Sequence, residues 1–131
     1  MKPEDLAKSG TEHGEQAALF AWAALAVKQW PELRWFHAIP NGGSRGSDAR
    51  TRAIGGAILK AEGVRPGVSD TLLPVKRGPY SGLYIEMKKR GSKATLEQLE
   101  FGAFVQSQGF GFVVCDDWTK AKDILIQYLT T

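Results

Sequence analysis

The chain has 131 residues, 43% of them hydrophobic and 24% charged, a balance that excludes a disordered segment and is long enough for one core without metal or disulfide support. Its single cysteine, Cys115, excludes an internal disulfide and fits a reducing compartment, while a net charge of +3 suits a polyanionic partner without specifying one. No apolar stretch resembles a signal peptide or approaches the roughly 18 residues of a membrane span, so a cytoplasmic protein with no membrane partner is expected.

Residues 1–10 read as a flexible start to one domain covering 1–131. From Glu12 to Trp30, Glu15, Leu19, Trp22, Ala26 and Trp30 recur on one helical stripe that Pro31 stops. The tryptophans Trp22, Trp30 and Trp35 read as core. The aromatic and β-branched run Arg34 to Ile39 predicts a strand leading into the loop "PNGGSRGS". Ser47 or Asp48 then caps a second helix running to about Ala61, with Gly63 closing it.

The segment "VRPGVSDTLLPVKRGPYSGLYIEMKKRGSK" predicts two strands folding back around Gly78. Thr95 and Gln98 have capping-box spacing and open a helix that Gly109 ends. "FGFVVC" reads as a buried strand containing an inert thiol. Asp116 or Asp117 caps a last helix with Ala121, Ile124, Leu125 and Tyr128 on its apolar face. That face either covers the sheet or is left for a second copy. The order α, β, α, β, β, α, β, α predicts an α/β fold, a mixed β-sheet flanked by helices with a crossover between its last two strands.

In "GLYIEMKKR", alternation puts Tyr84, Glu86 and Lys88 on one strand face and Ile85 and Met87 on the other. Folding about Gly78 pairs residues whose numbers sum to 156, which sets Asp70 opposite Glu86. Two carboxylates in such a pair, about 5 Å apart at Cβ, repel unless a cation lies between them. Two acids, a backbone carbonyl and water are the hard oxygen ligands that Mg²⁺ or Mn²⁺ prefers. Lys88, one strand step on, stands where an ammonium orients a water and offsets charge developing on a phosphate. Glu15, at the head of the first apolar stripe, is expected to point toward the same place.

These motifs resemble those of the virus-type replication-repair nuclease (VRR-NUC) domain in the PD-(D/E)xK nuclease superfamily, in its small stand-alone phage and bacterial type. The resemblance rests on Glu15 in "GEQ", "HAIPN" at His37–Asn41, "GVRPGVSD" at Gly63–Asp70, "EMK" at Glu86–Lys88 and Gln98 in "TLEQ", covering about residues 12–115. Ser69 departs from it, standing where the family often has proline. The resemblance implies an αβββαβ core of restriction-endonuclease type and a nuclease cutting branched DNA as a homodimer, in the manner of a Holliday-junction resolvase in DNA repair. It also implies metal ligation by Asp70, Glu86 and the Met87 carbonyl with help from Glu15, a catalytic role for Lys88, support from Gln98, and the cytoplasm of a bacterial host cell as setting.

Simpler readings exist for single residues. An E-x-K pair alone is usually a solvated face or an edge-strand device. The capping box already accounts for Gln98. His37 reads as a hydrogen-bonded core residue before a general base, and "NGGSRG" as either a connector or a close approach to phosphate. Asn41, Arg45, Arg50, Arg52, Lys89, Arg90 and Lys93 lie in segments next to the proposed site and are the candidates for DNA contact. The competing functional classes are a non-catalytic nucleic-acid-binding module on the same scaffold and a sequence-specific restriction-type endonuclease.

Overall fold

The computed structural model describes residues 2–40 and 49–131, without the side chains of residues 49–54. The stretch expected to be flexible forms a short helix α1 (Pro3–Leu6) and a 3-10 turn (Ala7–Ser9). These pack on the next helix, with Ala7 only 2% exposed.

Helix α2 (Glu12–Ala26) starts where the Thr11 hydroxyl accepts from the Gly14 N–H. It stops short of Trp30, because Pro31 disfavours helical geometry in the residue before it, and Trp30 sits at φ −125° and ψ 86°. Pro31 then opens a second 3-10 turn (Pro31–Trp35), which takes the first two residues of the expected strand, and β1 is His37–Ala38. The remaining elements are α3 (Ala49–Ala61), β2 (Thr71–Leu73), β3 (Leu83–Met87), α4 (Leu96–Ser107), β4 (Gly111–Cys115) and α5 (Trp118–Leu129).

The four strands form one mixed sheet in the order β1-β2-β3-β4, antiparallel except for the parallel pair β3 and β4 that α4 connects. In the hairpin, Thr71 pairs with Ile85, Leu72 with Tyr84 and Leu73 with Leu83. Each pair sums to 156, the register expected from the sequence. The turn itself is tighter than expected, because Arg77 rather than Lys76 bridges Tyr80. Gly78, at φ +52°, occupies its first central position.

Leu83, Ile85 and Met87 face a core built with Leu19 and Ala23 of α2 and Ala121, Leu125, Tyr128 and Leu129 of α5. The apolar face of α5 therefore covers the sheet. Removing a fully buried leucine such as Leu125 from this core costs about 2–5 kcal/mol. On the opposite face Tyr84 meets Phe101 of α4 edge-on, with ring centroids 5.1 Å apart. β4 is half-buried rather than buried, since it lies at a sheet edge with Val114 37% exposed. Trp35 is not core: it closes the 3-10 turn and is 60% exposed.

Gly67 fixes how the chain enters β2. It has φ +86°, and a Cβ added there falls 2.7 Å from the Glu97 carbonyl oxygen, so backbone approaches backbone at the start of α4. Gly63 also has positive φ, at +99°, but a Cβ there meets nothing within 4 Å. Both alanine substitutions carry the left-handed strain of about 1–2 kcal/mol, and only Gly67→Ala adds the clash. Thermal unfolding should therefore show a distinctly larger loss for Gly67→Ala than for Gly63→Ala; equal losses would mean that the contact with Glu97 is easily relieved.

Candidate active site

The last turn before β2 brings Asp70 opposite Glu86, and each side chain bonds to a backbone N–H across the hairpin, Glu86 to that of Asp70 and Asp70 to that of Met87. The Asp70 N–H donates to Glu86 Oε2 at 3.0 Å, and the Met87 N–H donates to Asp70 Oδ2 at 3.0 Å. Both residues are buried, at 4% and 0% exposure. Burial raises the Glu86 carboxyl to about 8, with the Asp70 charge adding to the effect. Asp70 rises to about 6, first through burial and then through the charge of Glu12. The two bonds hold the pair in place against its own repulsion.

Lys88 and Gln98 complete the arrangement. Lys88 is half-buried at the end of β3, its positive charge acts on both carboxyls, and its Nζ donates to Gln98 Oε1 at 3.3 Å. Gln98 Nε2 donates in a short bond to Glu86 Oε1. The same Gln98 Oε1 accepts from the Thr95 N–H at 2.8 Å, closing the capping box of α4. The structural and site readings of Gln98 thus both hold. Met87 packs its side chain in the core, at 0% exposure, while its backbone lies beside the Asp70 carboxyl.

Glu15 differs from expectation. It is fully buried, but its Oε1 accepts from the Trp118 N–H at 2.9 Å and its Oε2 lies 3.4 Å from the Arg90 guanidinium. The exposed N–H groups at the start of α5 and the neighbouring cation attract it there. The acid whose charge reaches Asp70 and Glu86 is Glu12, one helical turn earlier. Sequence reasoning missed it, although Glu12 directly follows the capping Thr11, because helical spacing admits both acids on the same side. Among the described residues, no three His, Cys, Asp or Glu side chains group closely enough to hold a metal by themselves.

Of the expected DNA contacts, Lys89, Arg90 and Lys93 are exposed just beyond β3, and Arg90 shares its guanidinium with Glu15. Asn41 and Arg45 lie outside the described residues, as do the side chains of Arg50 and Arg52 on α3. His37 is exposed rather than core, with Nδ1 2.8 Å from the Trp35 carbonyl oxygen.

No family model matches the chain, and no curated protein does. A solved structure described as "VRR_NUC domain protein" matches it with a TM-score of 0.70 and 27% identity, covering 92% of this chain and 88% of that one. The chain has the VRR-NUC fold. This places it among nuclease-type folds and bears out the α/β architecture expected from its motifs. In this fold, Asp70, Glu86, Lys88 and Gln98 are brought together by β2, β3 and the start of α4. No helix among the described residues is long and apolar enough to cross a membrane.

The buried pair makes stability depend on pH in a defined direction. Both carboxyls hold a proton more tightly in the folded chain than at their ordinary values of 3.8 and 4.5. Their contribution is complete below about pH 4 and is lost as pH rises through about 6 and about 8. In EDTA the thermal midpoint should fall between pH 5 and pH 9, and Glu86→Gln should flatten that fall. A wild-type midpoint that does not fall over this range would contradict the burial of the pair.

Proposed function

We propose that this chain is a divalent-metal-dependent DNA endonuclease that hydrolyses a phosphodiester bond in branched DNA. As a resolvase it acts on a four-way (Holliday) junction as a homodimer in the cytoplasm of a bacterial host. The observation that carries this reading is the buried Asp70 and Glu86 pair, its carboxyls both raised, with Lys88 beside it. Two acids side by side in the interior are costly without a cation, and they serve no purpose on a face that only binds phosphate. The donor set fits Mg²⁺ or Mn²⁺, which take few protein ligands and keep several waters. Asp70, Glu86 and the Met87 carbonyl would hold the ion, with Glu12 near enough for its charge to add to theirs.

A bound divalent cation supplies Lewis-acid polarisation of the scissile phosphate and a more acidic water. Lys88 orients that water through its ammonium and offsets the negative charge that builds on the phosphorane oxygens. Gln98 fixes the Lys88 ammonium and a Glu86 oxygen from one amide, so the lysine and the acid keep their spacing. Lys89 and Lys93 bind the flanking phosphates, and Arg90 stays tied to Glu15. Because α5 is covered by the sheet, the second copy uses another surface.

The test is cleavage of linear, flap and four-way DNA with Mg²⁺, Mn²⁺ or EDTA. We expect metal-dependent, symmetric cuts at the four-way junction. Discrete cuts in linear duplex without junction preference would favour the restriction-type reading, and salt-sensitive binding without any cleavage would favour a binding module. Asp70→Asn and Glu86→Gln should reduce cutting to background, and Lys88→Met should slow it about 10²- to 10³-fold. Undiminished cutting by Asp70→Asn would sink the site assignment.

Gln98 and Thr95 separate stability from chemistry. Thr95→Ala should cost about 1 kcal/mol of stability and leave cleavage near wild type. Gln98→Ala should slow cleavage about 10- to 100-fold as well, measured at a temperature where both variants are folded.

A further inference from the structure

Outside the carboxylate site, an exposed tryptophan lies at the entry to β1. Trp35 is 60% exposed, although tryptophan is usually covered. The Arg34 guanidinium carbon lies 4.7 Å above its ring centroid. Among the described residues no carboxylate forms an ion pair with Arg34, whereas Arg77 and Arg90 each have one. His37 bonds back to the Trp35 carbonyl oxygen, which ties the ring's backbone to the strand.

Arg34 also stands at the rim of a cleft of about 330 Å³ lined by Phe20, Ala24, Val27 and Phe36. Phe20 and Phe36 stack beneath it, with ring centroids 4.5 Å apart and planes 13° apart. The surface therefore offers an exposed aromatic ring, a cation over that ring with no carboxylate partner among the described residues, and an apolar recess that the same cation borders. A free guanidinium on an exposed indole suits a ligand with a π-face and a negative charge, as in an unpaired nucleotide. An apolar partner protein would leave that charge buried and unpaired.

The distance from the carboxylates is also suitable. The recess follows α2 from Phe20 to Val27, roughly 12–22 Å along the helix from Glu12, or roughly four to six stacked nucleotides. β1 connects the two places, because the Ile39 N–H donates to the Asp70 carbonyl oxygen at 2.6 Å.

We infer that Trp35 and Arg34 form a stacking site for an unpaired nucleotide, such as one opened at a branch point a few nucleotides from the cut. The site rests on the nuclease reading for its substrate, but its test needs no cleavage. Fluorescence anisotropy would measure the wild-type chain, Trp35→Ala and Trp35→Phe in EDTA on a blunt duplex and on the same duplex with a single-stranded arm.

Trp35→Ala should weaken binding to the armed DNA about tenfold and leave the blunt duplex unchanged. Trp35→Phe should keep most of the affinity, and Arg34→Ala should weaken the armed DNA and reduce its salt dependence. Because Trp35 is mostly exposed, the variants should unfold near the wild-type midpoint. No loss on either DNA, or equal loss on both, would overturn the inference. So would a change in sedimentation from dimer to monomer in Trp35→Ala, which would make this surface a contact between copies. Failure of metal-dependent cleavage by the wild-type chain would count against the nuclease reading alone.

Discussion

Two backbone N–H groups, those of Asp70 and Met87, hold two acids together in the interior. Each donates to a side-chain oxygen across the hairpin, so the arrangement exists only in the register that pairs Thr71 with Ile85. A slip of one residue would turn Glu86 toward the core of Leu19 and Leu125 and bring Ile85 to the site. Register is therefore the constraint on which the chemistry depends. It is enforced by the ladder from Thr71 to Leu73 and by the apolar alternation of Leu83, Ile85 and Met87.

The third contributor, α4, is positioned by its own first turn. Thr95 and Gln98 satisfy each other's backbone N–H groups, and Gln98 then spends its remaining amide contacts on Glu86 and Lys88. Gly67 lets the chain before Asp70 approach the Glu97 carbonyl closely. A helix cap and an active-site contact are thus one piece of local structure. Displacing the start of α4 would move Gln98, and with it the spacing between the acid and the lysine.

Much of this was legible in the sequence because it follows from short-range rules. Strand alternation put Glu86 and Lys88 on one face, turn chemistry at Gly78 gave the sum of 156, and the Thr95 and Gln98 spacing gave the start of α4. What was not legible depended on competition between distant groups. Glu15 was drawn to the start of α5, 103 positions away, leaving Glu12 as the acid that acts on the pair. Trp35 was assigned to the core by its residue type, but the 3-10 turn begun by Pro31 carries it outward. β4 was read as buried from its apolar content, which does not reveal that it lies at a sheet edge. His37 was read as core, but it lies on β1, an edge strand whose residues are both exposed.

The stretch after β3 shows why the basic residues near the site are not equivalent. The Arg90 N–H donates to the Gly10 carbonyl oxygen at 3.2 Å, its guanidinium pairs with Glu15, and the Gly91 N–H donates to Asp116 Oδ2 at 3.0 Å. These bonds fasten the end of β3 to α2 and to the start of α5. Arg90 is therefore held through both its backbone and its side chain, whereas Lys89 and Lys93 have no carboxylate partner among the described residues. Of the three basic residues proposed as phosphate contacts here, Arg90 also pairs with Glu15, whereas Lys89 and Lys93 do not. On the proposed reading, an interior of acids bounded by such a basic rim would draw a phosphate backbone inward and leave the buried pair to be neutralised by a cation.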